Sequence, residues 1–105
     1  MDEEKKHRLK EHGWIETTVQ DFLELTPEEA AYIELKLLLS RNLRERREKL
    51  NMSQVVLAKK IESSQSRISK MEAGDPSVSI DLLIRSLLSL GVTPAELGNI
   101  ITVNA

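Results

Sequence analysis

Gln65, Ser66, Arg67, Ser69 and Lys70 crowd five polar side chains into six residues, with no carboxylate among them. Arg and Lys can donate to guanine acceptors, Gln can form two bonds with adenine, and Ser suits either kind of edge. A helix displaying this set could therefore read bases in a DNA major groove, with its N-terminal residues nearest the edges. The apolar residues beside them favour such a display. Ile68 and Met71 share one helical face, and Leu57, Ala58 and Ile61 share one face of the segment before. Only about four non-helical residues separate the two segments, so two short helices must cross steeply over a common apolar corner. Ala58 is small where that crossing brings the backbones together.

Other chemistries lack their residues. The chain has no cysteine, which removes zinc fingers, disulfide scaffolds and thiol catalysis and suits a reducing compartment. It contains no Gly-rich phosphate loop, no His-Glu-x-x-His and no Ser-x-x-Lys, and the serines of 63–69 have no histidine near them in sequence. They read as helix caps and donors, so no catalytic residue is assigned and no cofactor is implied. His7 and His12 sit among polar residues without further ligands and read as surface histidines, so no metal is expected either.

The net charge of −2 hides a division along the chain. Residues 1–35 hold ten acidic and four basic side chains, residues 36–72 four acidic and ten basic, and residues 73–105 three acidic and one basic. The middle third is basic within an acidic protein, and local charge governs attraction to a polyanion more than the total does. Arg41, Arg44 and Arg46 could track phosphates, but Arg41–Glu45 and Arg44–Glu48 also have the spacing of ordinary helix-surface pairs.

Apolar positions recur at three- and four-residue spacing almost throughout, which predicts an all-α protein. A short helix is expected at about 18–24, within an apolar group that includes Trp14 and Phe22. Thr26-Pro27-Glu28-Glu29 is a strong helix start, with Glu29 placed to close a capping box, and nothing breaks that helix until about Leu50. Ser53, Ser64 and Ser79 cap helices predicted at about 54–60, 65–71 and 80–90. Thr93 starts a last one at about 94–101. The expected organisation is an acidic N-terminal tail and helical arm over 1–35, followed by one domain over 36–105. No apolar run is long enough for a bilayer and the charged N-terminus is not a secretory signal, so a cytoplasmic protein is expected.

Residues 43–92 resemble the Cro and phage-repressor (XRE) helix-turn-helix family. The likeness runs in order through Leu43-Arg44…Arg47, Ser53-Gln54-x-x-Leu57-Ala58, Ser64-Gln65-Ser66-Arg67-Ile68-Ser69-Lys70-Met71-Glu72, Leu82-Leu83 and Leu90-Gly91-Val92. It implies a five-helix phage-repressor-like DNA-binding domain with an N-terminal helical extension. Base reading then falls on Gln65, Ser66, Ser69 and Lys70, while Arg67 lies nearer the DNA backbone. Gln54 would contact a phosphate and buttress the recognition helix, and Arg47 with Glu72 would form the family's buried ion pair. Two positions depart from the pattern. Glu62 stands where glycine is usual, and the loop Asp75-Pro76-Ser77-Val78-Ser79 lacks the frequent basic residues, leaving Ser77, Ser79 and backbone N–H groups for phosphate.

The implied partner is double-stranded DNA, and the implied role a sequence-specific regulator, most simply a repressor. The stripe of Ala30, Ile33, Leu37 and Leu38 is wider than five helices need, which suggests a homodimer on two half-sites, through this helix or the residues after Thr93, the alternative being that residues 14–25 fold back and cover it within one chain. The acidic amphipathic segment before the domain also resembles HigA-like antitoxins, which implies a basic toxin protein as a second partner. A protein-interaction module that keeps the fold without specific DNA binding is the alternative.

Overall fold

The computed structural model describes residues 24–104, which are all helical apart from turns and caps, with no strand among them. Five helices follow in order: α1 (Pro27–Lys49), α2 (Gln54–Lys60), α3 (Gln65–Ala73), α4 (Ile80–Ser89) and α5 (Pro94–Asn104). The helix expected at about 18–24 lies outside the described residues, except for Glu24, which stands in a turn. The chain divides into two units between Glu34 and Leu35, and the whole of the buried core belongs to the second.

The helix starts behave as their residue types require. Ser53, Ser64 and Ser79 each accept a hydrogen bond from the N–H three residues on, at 3.1, 3.2 and 3.2 Å. Each satisfies one of the donors that a helix N-terminus leaves open. Thr93 does the same for Glu96 at 3.1 Å, as does Thr26 for Glu29 at 3.1 Å within the first unit. In both Thr-Pro starts the glutamate accepts from the threonine hydroxyl rather than reaching back to a backbone N–H. α3 and α5 run two and three residues further than their sequence signals suggest, to Ala73 and Asn104.

Helix ends share one device. α1 to α4 all close with a six-residue and a four-residue backbone bond around a left-handed residue. Met52 and Asn51 N–H bond back to Arg47 and Glu48 carbonyls, Ser63 and Glu62 to Ala58 and Lys59, Asp75 and Gly74 to Lys70 and Met71, Val92 and Gly91 to Leu87 and Leu88. The left-handed residues are Asn51, Glu62, Gly74 and Gly91, with φ of 57°, 55°, 73° and 86°. Asparagine and glycine tolerate this region, whereas glutamate has no local compensation for its Cβ clash. Glu62→Gly should therefore raise stability by about 0.5–1 kcal/mol, after the extra entropy of an unfolded glycine is counted. A thermal melt should show a gain of several degrees for a domain of this size.

The core is one cluster. Leu39 and Leu43 of α1, Leu57 and Ala58 of α2, Ile68 and Met71 of α3, and Leu83 and Leu87 of α4 are buried, with Val78, Leu90 and Val92 from the connections. Leu57, Ile68 and Met71 have no exposure at all, so α2 and α3 share the apolar corner that their spacing requires. On α1 the buried stripe is Lys36, Leu39, Ser40 and Leu43, while Leu37 is half exposed and Leu38 intermediate. The face that packs thus runs through positions that include two polar residues, with Leu37 at its edge.

Candidate nucleic-acid interface

With Ile68 and Met71 inside, α3 presents Gln65, Ser66, Arg67, Ser69 and Lys70 to solvent. No carboxylate stands among them, because Glu72, the only acid of the helix, is turned inward. Its side chain is 4% exposed and receives Arg47 Nε at 2.6 Å and Arg47 Nη2 at 3.0 Å, a two-bond fork. Arg47 Nη1 also donates to the Met52 carbonyl at 2.8 Å, and Gln54 Nε2 donates to Glu72 at 3.2 Å. The hydrogen bonds with Glu72 raise the Arg47 pKa above the ordinary arginine value, with burial opposing. These contacts tie the end of α1 and the start of α2 to the last turn of α3, fixing the direction in which the exposed face points.

The first turn of α3 and the α3–α4 loop enclose an open cleft of about 390 Å³ lined by Ser64, Ser66, Arg67, Lys70, Ser77 and Val78. Every polar side chain on this lining can donate and none is acidic, which is the chemistry of a phosphate seat. The two loop serines are not equivalent. Ser79 accepts from Leu82 N–H and so keeps its hydroxyl hydrogen for an outside acceptor, whereas Ser77 donates its hydroxyl to Asp75 Oδ1 at 2.6 Å. Ser77 N–H donates to the same oxygen at 2.8 Å.

These two bonds from Ser77 hold the Asp75 carboxyl below the usual carboxylate range, and the positive charges of Lys70 and Lys36 add to the effect. A carboxylate whose folded pKa is depressed stabilises the fold fully above its unfolded pKa, and loses that contribution as pH falls through the folded value. The Ser77 amide should thus keep its neutral-pH resonance through the range in which ordinary carboxylates titrate and shift at more acid pH, in a proton NMR titration. Asp75→Asn should remove this acid-range shift.

The remaining basic residues divide. Arg44 is exposed and paired with Glu48 at 2.9 Å, the helix-surface arrangement its spacing allows. Arg46 is directed away from such a role: its Nε donates to the Leu90 carbonyl at 3.2 Å, and Nη1 lies 4.0 Å from Glu96. Arg41 is exposed. Lys36 has no sequence context that singles it out, yet it is buried on α1 and its Nζ donates to the Pro76 carbonyl at 3.2 Å. The signal for it is its place three, four and seven residues before Leu39, Ser40 and Leu43. Among the described residues no group of three or more His, Asp or Glu is gathered as a metal site, and no helix is long and apolar enough to cross a membrane.

Two short helices crossing over a buried corner, the second bearing a donor-rich outer face, define a helix-turn-helix unit. The helix-turn-helix family model HTH_3 matches residues 43–97, slightly more than half of the chain, and the protein belongs to that family. It is a DNA-binding protein of the transcription-regulator class. No curated protein and no solved structure matches the chain.

Proposed function

We propose that the protein is a cytoplasmic repressor that reads a short operator through the major groove. The carboxylate-free donor face of α3 carries this reading. Gln65, Ser66, Ser69 and Lys70 read base edges, and Arg67, Ser79 and the α3–α4 loop take one strand's phosphates in the cleft beside them. Gln54 both braces and binds, since its amide donates one hydrogen to Glu72 and keeps a second for a phosphate oxygen. Ser77 engages phosphate through exchange of its Asp75 bond, and Arg44 after release from Glu48.

The repressor acts as a homodimer on two half-sites one helical turn apart. Its α5 favours the C-terminal face as the contact. This helix has no charged residue after Glu96, Ile101 is 39% and Val103 77% exposed, and a Cβ on Gly98 would meet nothing within 4 Å. Ile101 and Val103 offer exposed apolar area beside Asn99 and Thr102, and Gly98 permits close approach of a second helix. The charge of residues 1–35 supports a second reading, an autoregulating antitoxin whose acidic segment holds a basic toxin.

Fluorescence anisotropy on DNA from upstream of the coding sequence, against random DNA at two salt concentrations, tests the main reading. Tighter binding to the native sequence supports a base-reading regulator. Sequence-blind binding that fades steeply with salt leaves a phosphate-binding module, and no binding leaves a protein-interaction module.

A further inference from the structure

We propose that Lys36 is a positioning residue for DNA binding, a latch by which α1 sets the conformation of the α3–α4 loop. The inference rests on the DNA reading above only in the consequence it draws for binding; the latch itself is a property of the free protein.

Lys36 lies on the buried stripe of α1 with Leu39, Ser40 and Leu43, and only 9% of it is exposed. A lysine is seldom enclosed, because removing its ammonium from water costs several kcal/mol unless oxygen partners replace the solvent. Here Nζ donates to the Pro76 carbonyl, across 40 residues of sequence. None of the turn and loop N–H groups bonds to the Pro76 carbonyl, so it is a point at which the loop can be held from outside its own backbone pattern. The next residue on α1, Leu37, packs against the same turn: a Cβ on Gly74 would stand 2.5 Å from its Cδ2. Two consecutive residues of one helix thus grip both ends of Gly74-Asp75-Pro76.

What that grip controls is the segment facing the cleft. Ser77 and Ser79 follow Pro76 directly, and Val78 N–H bonds back to the Asp75 carbonyl at 3.1 Å while its side chain enters the core. If Pro76 shifts, the Ser77 donor and the Ser79 cap move relative to Arg67 and Lys70, and the seat for phosphate loses its far wall. The base-reading face of α3 is held separately, by the Arg47–Glu72–Gln54 contacts. Lys36 should therefore act on phosphate binding and leave base preference intact.

Lys36→Met keeps the stem and removes the donor. The expected result is amide hydrogen exchange at Ser77, Val78, Ser79 and Ile80 at least about tenfold faster, with α2 and core α3 amides unchanged. Operator and random DNA should both bind about tenfold more weakly, the order for a lost charge-assisted hydrogen bond. The salt slope should fall by less than one, because the loop donors that Lys36 places are uncharged, with base preference as in wild type. Lys36→Gln serves for the same readouts if the methionine variant does not fold. Faster exchange spread evenly over all helices would reduce Lys36 to a stability residue and overturn the proposal. Unchanged loop exchange with a slope lowered by about one would assign it a charge role only, and overturn it likewise. Wild-type protein that binds no DNA would sink the DNA reading, whereas the exchange experiment would still decide the latch.

Discussion

Replacing Gln65 and Lys70 together by alanine should abolish preference for the native operator while leaving the fold intact. Both side chains are exposed on α3 and neither joins the Arg47–Glu72–Gln54 contacts that orient the helix. Alanine is also the strongest helix former, so the substitutions cost the helix nothing. Each base contact removed should weaken specific binding by about 1–3 kcal/mol. The pair, two residues more than a turn apart with no shared partner, should sum to a loss of about 30-fold to 10⁴-fold in anisotropy against the operator. Binding to random DNA should fall far less, through the single positive charge of Lys70, with the salt slope reduced by about one. Ser69→Ala, which removes a smaller donor from the same face, should weaken the operator complex by less. A double variant that kept its operator preference would move base reading away from α3.

The sequence made the helix-turn-helix legible because its signals are local. Serine caps at 53, 64 and 79 act within three residues, and the apolar spacing of Leu57, Ala58, Ile68 and Met71 needs only helical geometry. Those positions are capped and buried as their types demand. What stayed hidden depends on partners distant in sequence. The packing face of α1 runs through Lys36 and Ser40, polar residues that an apolar count passes over, and the Pro76 carbonyl that Lys36 meets arrives 40 residues later. Arg46 is one of three equivalent basic residues until the Leu90 carbonyl and Glu96 claim it. Ser77 and Ser79 look alike as loop donors, and they differ because a carboxylate two residues back occupies one hydroxyl and a helix N–H occupies the other's lone pair. Glu62 poses a choice between tolerating and escaping a left-handed turn. The bonds from Ser63 to Ala58 and Glu62 to Lys59 leave no escape, because they end α2 in the same way as the other helices.

Breaking the ion pair that aims α3 should be the most damaging single change to the fold, through two effects that a double variant separates. Glu72 accepts from Arg47 Nε, Arg47 Nη2 and Gln54 Nε2 in a site that leaves its side chain 4% and that of Arg47 11% exposed. Glu72→Leu removes the acceptor and leaves the guanidinium with the Met52 carbonyl and, at 3.9 Å, the exposed Glu48, in a place where water cannot fully replace the lost carboxylate. Such a loss costs about 3–5 kcal/mol, a large part of the roughly 5–15 kcal/mol that holds a typical domain. A melting temperature lower by more than about 10 °C is expected. The pair taken whole is a different quantity, because desolvating both ions offsets most of their attraction. Arg47→Met with Glu72→Leu should therefore recover most of the lost stability. It should not recover operator binding to the same extent. An apolar contact has no preferred direction, whereas the two-bond fork and the Gln54 bond fix α3 about its own axis relative to α1 and α2. The measurement is a pair of thermal melts and operator titrations on the single and double variants. Stability restored with affinity still reduced would assign the pair to orientation. Stability and affinity restored together would show that packing alone aims the helix, and stability not restored in the double variant would make the pair a net source of folding energy.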